Sequence, residues 1–152
     1  MNPIQQAKFV AAIKPGAILD DASATAEVID TTGWDYVTIG IQLGATDIAL
    51  TALKVQNSAT SGGSYVDITG ATFDGGSGMG GETLTLPSAT DDGKVYAFQI
   101  DMRNKNPFLK VVATVGNGST GGYVSGLAVL SRGKIGPVVS NDAADGDVCR
   151  VL

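Results

Sequence analysis

The sequence predicts an all-β protein, an antiparallel β-sandwich with irregular terminal arms, for which a jelly roll is one candidate arrangement. Three observations predict it. Apolar residues alternate with period two in segment after segment, the pattern of strands with one buried face. Glycine-containing pairs punctuate these segments: Pro15-Gly16, Thr32-Gly33, Gly62-Gly63, Asp92-Gly93, Asn117-Gly118 and Gly121-Gly122. No window of about 11 residues carries a helical apolar stripe.

Along the chain, Lys8–Ile13 is the first short strand candidate and Ala24–Ile29 the second. In Tyr36–Leu43 the residues Val37, Ile39, Ile41 and Leu43 fall on one side, against Tyr36, Thr38, Gly40 and Gln42 on the other. Ile48–Gln56 changes parity, because Ile48 and Leu50 are followed by Leu53 and Val55. One extra residue near Thr51 or Ala52, a β-bulge, restores the facing. Tyr65–Thr69 and Glu82–Leu86 are further short candidates. Val95–Arg103 turns Tyr96, Phe98, Ile100 and Met102 inward, and Leu109–Val115 does the same with Leu109, Val111, Ala113 and Val115. Tyr123–Ser131 is apolar on both faces, with Leu127 and Val129 on one and Val124, Ala128 and Leu130 on the other. Such a strand is covered on both faces, either central in its sheet or at a subunit contact.

A length of 152 residues fits one domain with a single core. The sandwich with its N-terminal arm is expected over residues 1–132 and a C-terminal arm over 133–152, where Gly136-Pro137 and an aspartate-rich run replace regular apolar positions. Ser61–Gly81 holds eight glycines and reads as a long flexible loop, or one ordered by a partner, around a short strand.

Composition excludes several function classes. There is no histidine, so Ser-His-Asp and Cys-His nucleophile systems are impossible within the chain. The single cysteine, Cys149, can close no internal bridge and reads as a small apolar residue of the tail. The short apolar run Phe9–Ile13 lacks the flanks of a signal peptide, and no stretch has the length of a membrane-spanning helix, so no membrane association is expected. A net charge of −5 opposes nucleic-acid binding. That charge is uneven: −8 over residues 1–92, +5 over 93–140 and −2 over 141–152. Acidic and basic strands pairing across one sheet would produce this, as would a polar molecule packing head to tail with its copies.

Each motif match has a plainer reading. Gly116–Gly121 fits G-x-G-x-x-G, but a dinucleotide site needs a helix next, and Tyr123–Ser131 is strand-like, so a hairpin turn is expected. Asp142, Asp145 and Asp147 lack the spacing of a calcium loop and read as a solvated tail. Asp20-Asp21 and Asp91-Asp92 could supply paired carboxylates for glycoside hydrolysis, but adjacent aspartates in turns read as hydrated caps. No catalytic residue, cofactor or metal site is expected. Trp34 and Tyr36 share strand parity and would form either a sugar-stacking pair or a covered patch.

The stretch Phe108–Val115, the Gly/Ser/Thr turn after it, Gly126–Arg132 and Pro137-Val138 resemble small proteins found among the head genes of tailed bacteriophages. In length, acidity and Gly/Ala/Thr richness the chain is similar to capsid decoration, or cement, proteins, most clearly over residues 95–139. The resemblance implies a β-sandwich protomer, a homotrimer on the outer surface of the virion head, and stabilising contacts to the major capsid protein, without catalysis. The residues expected at the partner interface are Phe9, Trp34, Tyr36, Leu127, Val129, Arg132, Ile135, Pro137 and Val138. The alternatives are a carbohydrate-binding sandwich, as in a tail-associated adhesin, and a carboxylate glycosidase.

Overall fold

The alternating run Val37, Ile39, Ile41 and Leu43 is buried to within 1%, which requires a second apolar face to cover it. That face comes from Leu53 and Val55 on one strand and Leu109, Val111, Ala113 and Val115 on another, all equally buried. The computed structural model describes residues 6–77 and 81–133, and these form nine strands. They are β1 (Lys8–Ile13), β2 (Ala22–Ser23), β3 (Ile29–Asp30), β4 (Trp34–Thr46), β5 (Leu50–Ser58), β6 (Val66–Thr72), β7 (Val95–Asp101), β8 (Phe108–Val115) and β9 (Gly122–Gly133). One sheet has the order β1-β9-β4-β7. The other has the order β2-β8-β5-β6, with β3 pairing further along β8. All pairings are antiparallel, and the protein is an all-β sandwich.

The register of β5 slips against β8 between Leu50 and Ala52, which places the bulge at Thr51 and keeps Leu50, Leu53 and Val55 all inward. Other expectations are corrected. Ala24–Ile29 is not one strand: the Ala24 N–H bonds to Ala113 O on β8 and the Glu27 N–H to Ala12 O on β1, so the chain changes sheets midway. Glu82–Leu86 joins neither sheet, because Leu84 exchanges backbone hydrogen bonds with Gly75 and Gly76 in a local hairpin. The loop Ser61–Gly81 is interrupted by β6, which runs on to Thr72. Strands of the acidic segment do lie beside strands of the basic one, β1 and β4 beside β9, β4 beside β7 and β5 beside β8, and Lys94 pairs with Asp91 across the two segments, while Lys54 with Asp67 and Arg103 with Asp101 pair within one segment each.

Gly116–Gly121 is not a hairpin turn. β8 and β9 belong to different sheets, so this loop carries the chain across the open end of the sandwich. At Gly121, with φ of 93°, a Cβ would lie 2.0 Å from the Leu19 carbonyl oxygen, and only glycine fits. β9 is central, between β1 and β4, with Val124, Ala128 and Leu130 buried. Its outer face is partly open, with Leu127 49% exposed and Val129 half-buried. β9 ends at Gly133, so Ile135, Pro137, Val138, the Asp142, Asp145 and Asp147 group and Cys149 lie outside the described residues.

Candidate functional site

The register fixes what the outer face of the β1-β9-β4-β7 sheet presents. One row across it reads Phe9, Val129, Thr38 and Gln99, and the next reads Ala11, Leu127, Gly40 and Ala97. Ser125, Gln42 and Val95 follow. Val95 is 63% exposed and Tyr123 45% exposed, so with Leu127 they make an apolar surface open to solvent. Gly40 contributes no side chain at its centre. A shallow hollow of about 320 Å³ therefore lies over the β4 backbone, between Ala11, Leu127 and Val95.

The opposite sheet is dressed differently. On its outside Asp67 accepts hydrogen bonds from Lys54 and Gln56, each at 2.7 Å, and Ser23 Oγ meets Thr114 Oγ1 at 2.7 Å. The Lys110 ammonium sits 4.6 Å from the centre of the Tyr65 ring. Its polar groups are matched within the protomer and its exposed large apolar residue is Val66 on the edge strand β6, whereas the first sheet exposes Leu127, Tyr123 and Val95.

Of the residues expected at an interface, Phe9, Leu127, Val129 and Tyr36 share this outer face. Trp34 does not form an exposed pair with Tyr36. It opens β4 directly after a turn closed by its own N–H on Thr31 O, 2.9 Å, and its ring packs against the end of the core. Arg132 alternates with the inward residue Leu130, but a left-handed backbone, φ of 52°, turns it outward over Tyr36. The guanidinium carbons of Arg103 and Arg132 each lie 5.4 Å from the centre of the Tyr36 ring. Arg103 is gripped by Asp101, donating from Nη2 at 2.6 Å and from Nε at 3.0 and 3.1 Å, and this holds the Asp101 carboxyl down to about 2. Alternation could not foresee the gathering of two arginines on one tyrosine, because it depends on the irregular backbone at Arg132.

The other carboxylates serve the fold. Asp91 is buried, not hydrated: it accepts from the Lys94 ammonium, the Ser88 N–H at 2.7 Å and the Tyr96 hydroxyl at 2.8 Å. Those donors, Lys94 foremost, hold its carboxyl well below the usual range. Burial, reinforced by Asp91, pushes the Tyr96 hydroxyl up to about 12. Asp92 accepts the Thr46 N–H at 2.9 Å. Asp20 accepts the Gly118 N–H at 2.7 Å, and Asp47 accepts those of Ser119, Thr120 and Gly121 at 2.7–2.8 Å. The backbone donors of the glycine-rich loop, which a phosphate would need, are taken by this chain's own aspartates. A cavity of about 560 Å³ opens between the edges of β6 and β7 and is lined by Ile68, Ala71, Phe98 and Ile100, with Glu82 and Lys105 beside them. Among the described residues no group of His, Cys, Asp or Glu could hold a metal ion.

Fold and surface together define a β-sandwich in which one sheet face exposes more apolar side chains than the other. Compared with known proteins, the chain matches no family model, no curated protein and no solved structure.

Proposed function

We propose that this chain is a non-enzymatic structural protein that docks through the outer face of the β1-β9-β4-β7 sheet. In this reading it is a capsid decoration protein: it sits as a homotrimer on the outside of a tailed-phage head and bridges major capsid subunits. The observation that carries the docking reading is the grouping of exposed Leu127, Tyr123 and Val95 on one sheet, where the other sheet opens Val66 at its edge strand and otherwise carries paired polar groups. The capsid as partner rests on the resemblance of residues 95–139. Strand order adds support, since β1-β9-β4-β7 facing β2-β8-β5-β6, with most connections crossing between the sheets, suits a jelly roll, an architecture used by capsid and lectin domains alike. Trp34 is half-buried and packs in part against the core, which gives less support to a flat sugar-stacking pair with Tyr36.

Purified phage heads stripped of decoration protein provide the test. The wild-type chain is expected to co-sediment with them and Leu127→Asp to remain in the supernatant. Wild-type protein that stays in the supernatant overturns the capsid reading, and a 15.4 kDa species by light scattering at micromolar concentration overturns the trimer.

A further inference from the structure

We propose that Arg132, held on the Tyr36 ring, is a binding site for a carboxylate, an Asp or Glu side chain on an acidic segment of the docked protein. This deepens the docking reading and rests on it. Three observations meet at this residue. Its left-handed backbone, a conformation non-glycine residues adopt only at a cost, lifts the side chain from the core side to the outer face. The guanidinium is then steadied over Tyr36, with Nη1 3.5 Å from the phenol oxygen. Finally, among the described residues no carboxylate lies within ion-pair distance of it, whereas its neighbour Arg103 is saturated by Asp101.

Around the Tyr36 ring stand the guanidinium groups of Arg103 and Arg132, and of the nearby carboxylates Asp101 is gripped by Arg103 and Asp35 acts on Arg103. A planar, stacked guanidinium offers two parallel donors, which suits a carboxylate better than a lysine would. One arginine without a carboxylate partner among the described residues is too little for a nucleic-acid backbone, which needs several cations in a row. The apolar rows of Val129 and Leu127 continue from Tyr36 along the same face, so one partner surface could engage both.

The test is an NMR titration of the arginine Nε–H signals of the intact protein with a blocked hexaglutamate peptide, alongside the head co-sedimentation assay. A saturable shift at Arg132, little change at Arg103 and no response to hexalysine are expected. Arg132→Lys should bind the peptide about tenfold more weakly, the loss of one charge-assisted hydrogen bond. No saturable shift at Arg132, or equal peptide binding by Arg132→Lys, overturns the site. Heads that bind Arg132→Ala as tightly as wild type also overturn it while leaving the docking reading intact. A wild-type protein that ignores heads but responds to the peptide at Arg132 supports the site and removes the docking reading.

Discussion

The backbone N–H of Gly121 donates to the Asp47 carboxylate at 2.8 Å, tying the loop that leads into β9 to the turn that leaves β4. Ser119 and Thr120 donate to the same carboxylate, so one aspartate organises the crossing between the sheets. These bonds, Gly121 foremost, lower the carboxyl from its ordinary value of 3.8. A group whose folded value is depressed contributes stability above its unfolded value and loses it as pH falls through the folded one. Asp47→Asn should therefore melt below wild type at pH 7, and the gap should narrow as pH drops below about 4. Equal melting temperatures at pH 7 would contradict the role given to Asp47.

Gly121 and Gly33 both have positive φ, but only Gly121 faces a wall. Gly33→Ala should cost about 1–2 kcal/mol, the strain of a left-handed alanine. Gly121→Ala adds a collision with the Leu19 carbonyl and should cost about 4 kcal/mol, strain and overpacking together. Urea unfolding of the two variants compares them, and failure of Gly121→Ala to fold counts as the larger loss. Similar midpoints would show that the loop relaxes around the new methyl group.

Leu127 and Leu130 are three residues apart on β9 and point to opposite faces. Leu130→Ala, at a fully buried position, should cost about 2–5 kcal/mol. Leu127→Ser should change stability by no more than about 0.5 kcal/mol and instead abolish docking. A large stability loss at Leu127 would mean that its outer face is packed within the protomer.

Tyr96 titrates late because it is partly buried and donates its hydrogen bond to Asp91. Its raised value means that the stability it contributes is complete below pH 10 and is lost as pH rises towards about 12. Ultraviolet titration should find one tyrosine ionising near 12, and Asp91→Asn should bring that step down. A step left in place by Asp91→Asn would assign the shift to burial alone. The same variant should be less stable than wild type at neutral pH, with the gap closing as pH falls below 3.8, since Asp91 is depressed by Lys94, Ser88 and Tyr96 and contributes above that ordinary value.

Alternation along the chain was enough to determine the all-β class, the inward residues of β4, β7 and β8, and the bulge at Thr51. Burial of one face is a period-two constraint that each strand must satisfy alone. Phe9, Tyr36, Leu127 and Val129 could be nominated from the same pattern, as apolar residues that the core does not need. What pairs with what was beyond that pattern. The division of Ala24–Ile29 between two sheets and the crossing loop that replaced a hairpin at Gly116–Gly121 rest on partners far away in sequence, whereas Asp91 is held by its near neighbours Ser88, Lys94 and Tyr96, polar contacts that alternation does not register. Arg132 shows the limit most plainly: parity sends it inward, and the left-handed backbone turns it onto Tyr36. Local periodicity determines which side of a strand is apolar, whereas long-range hydrogen bonds and backbone irregularities, visible only when the sheets are assembled, decide where the polar groups meet.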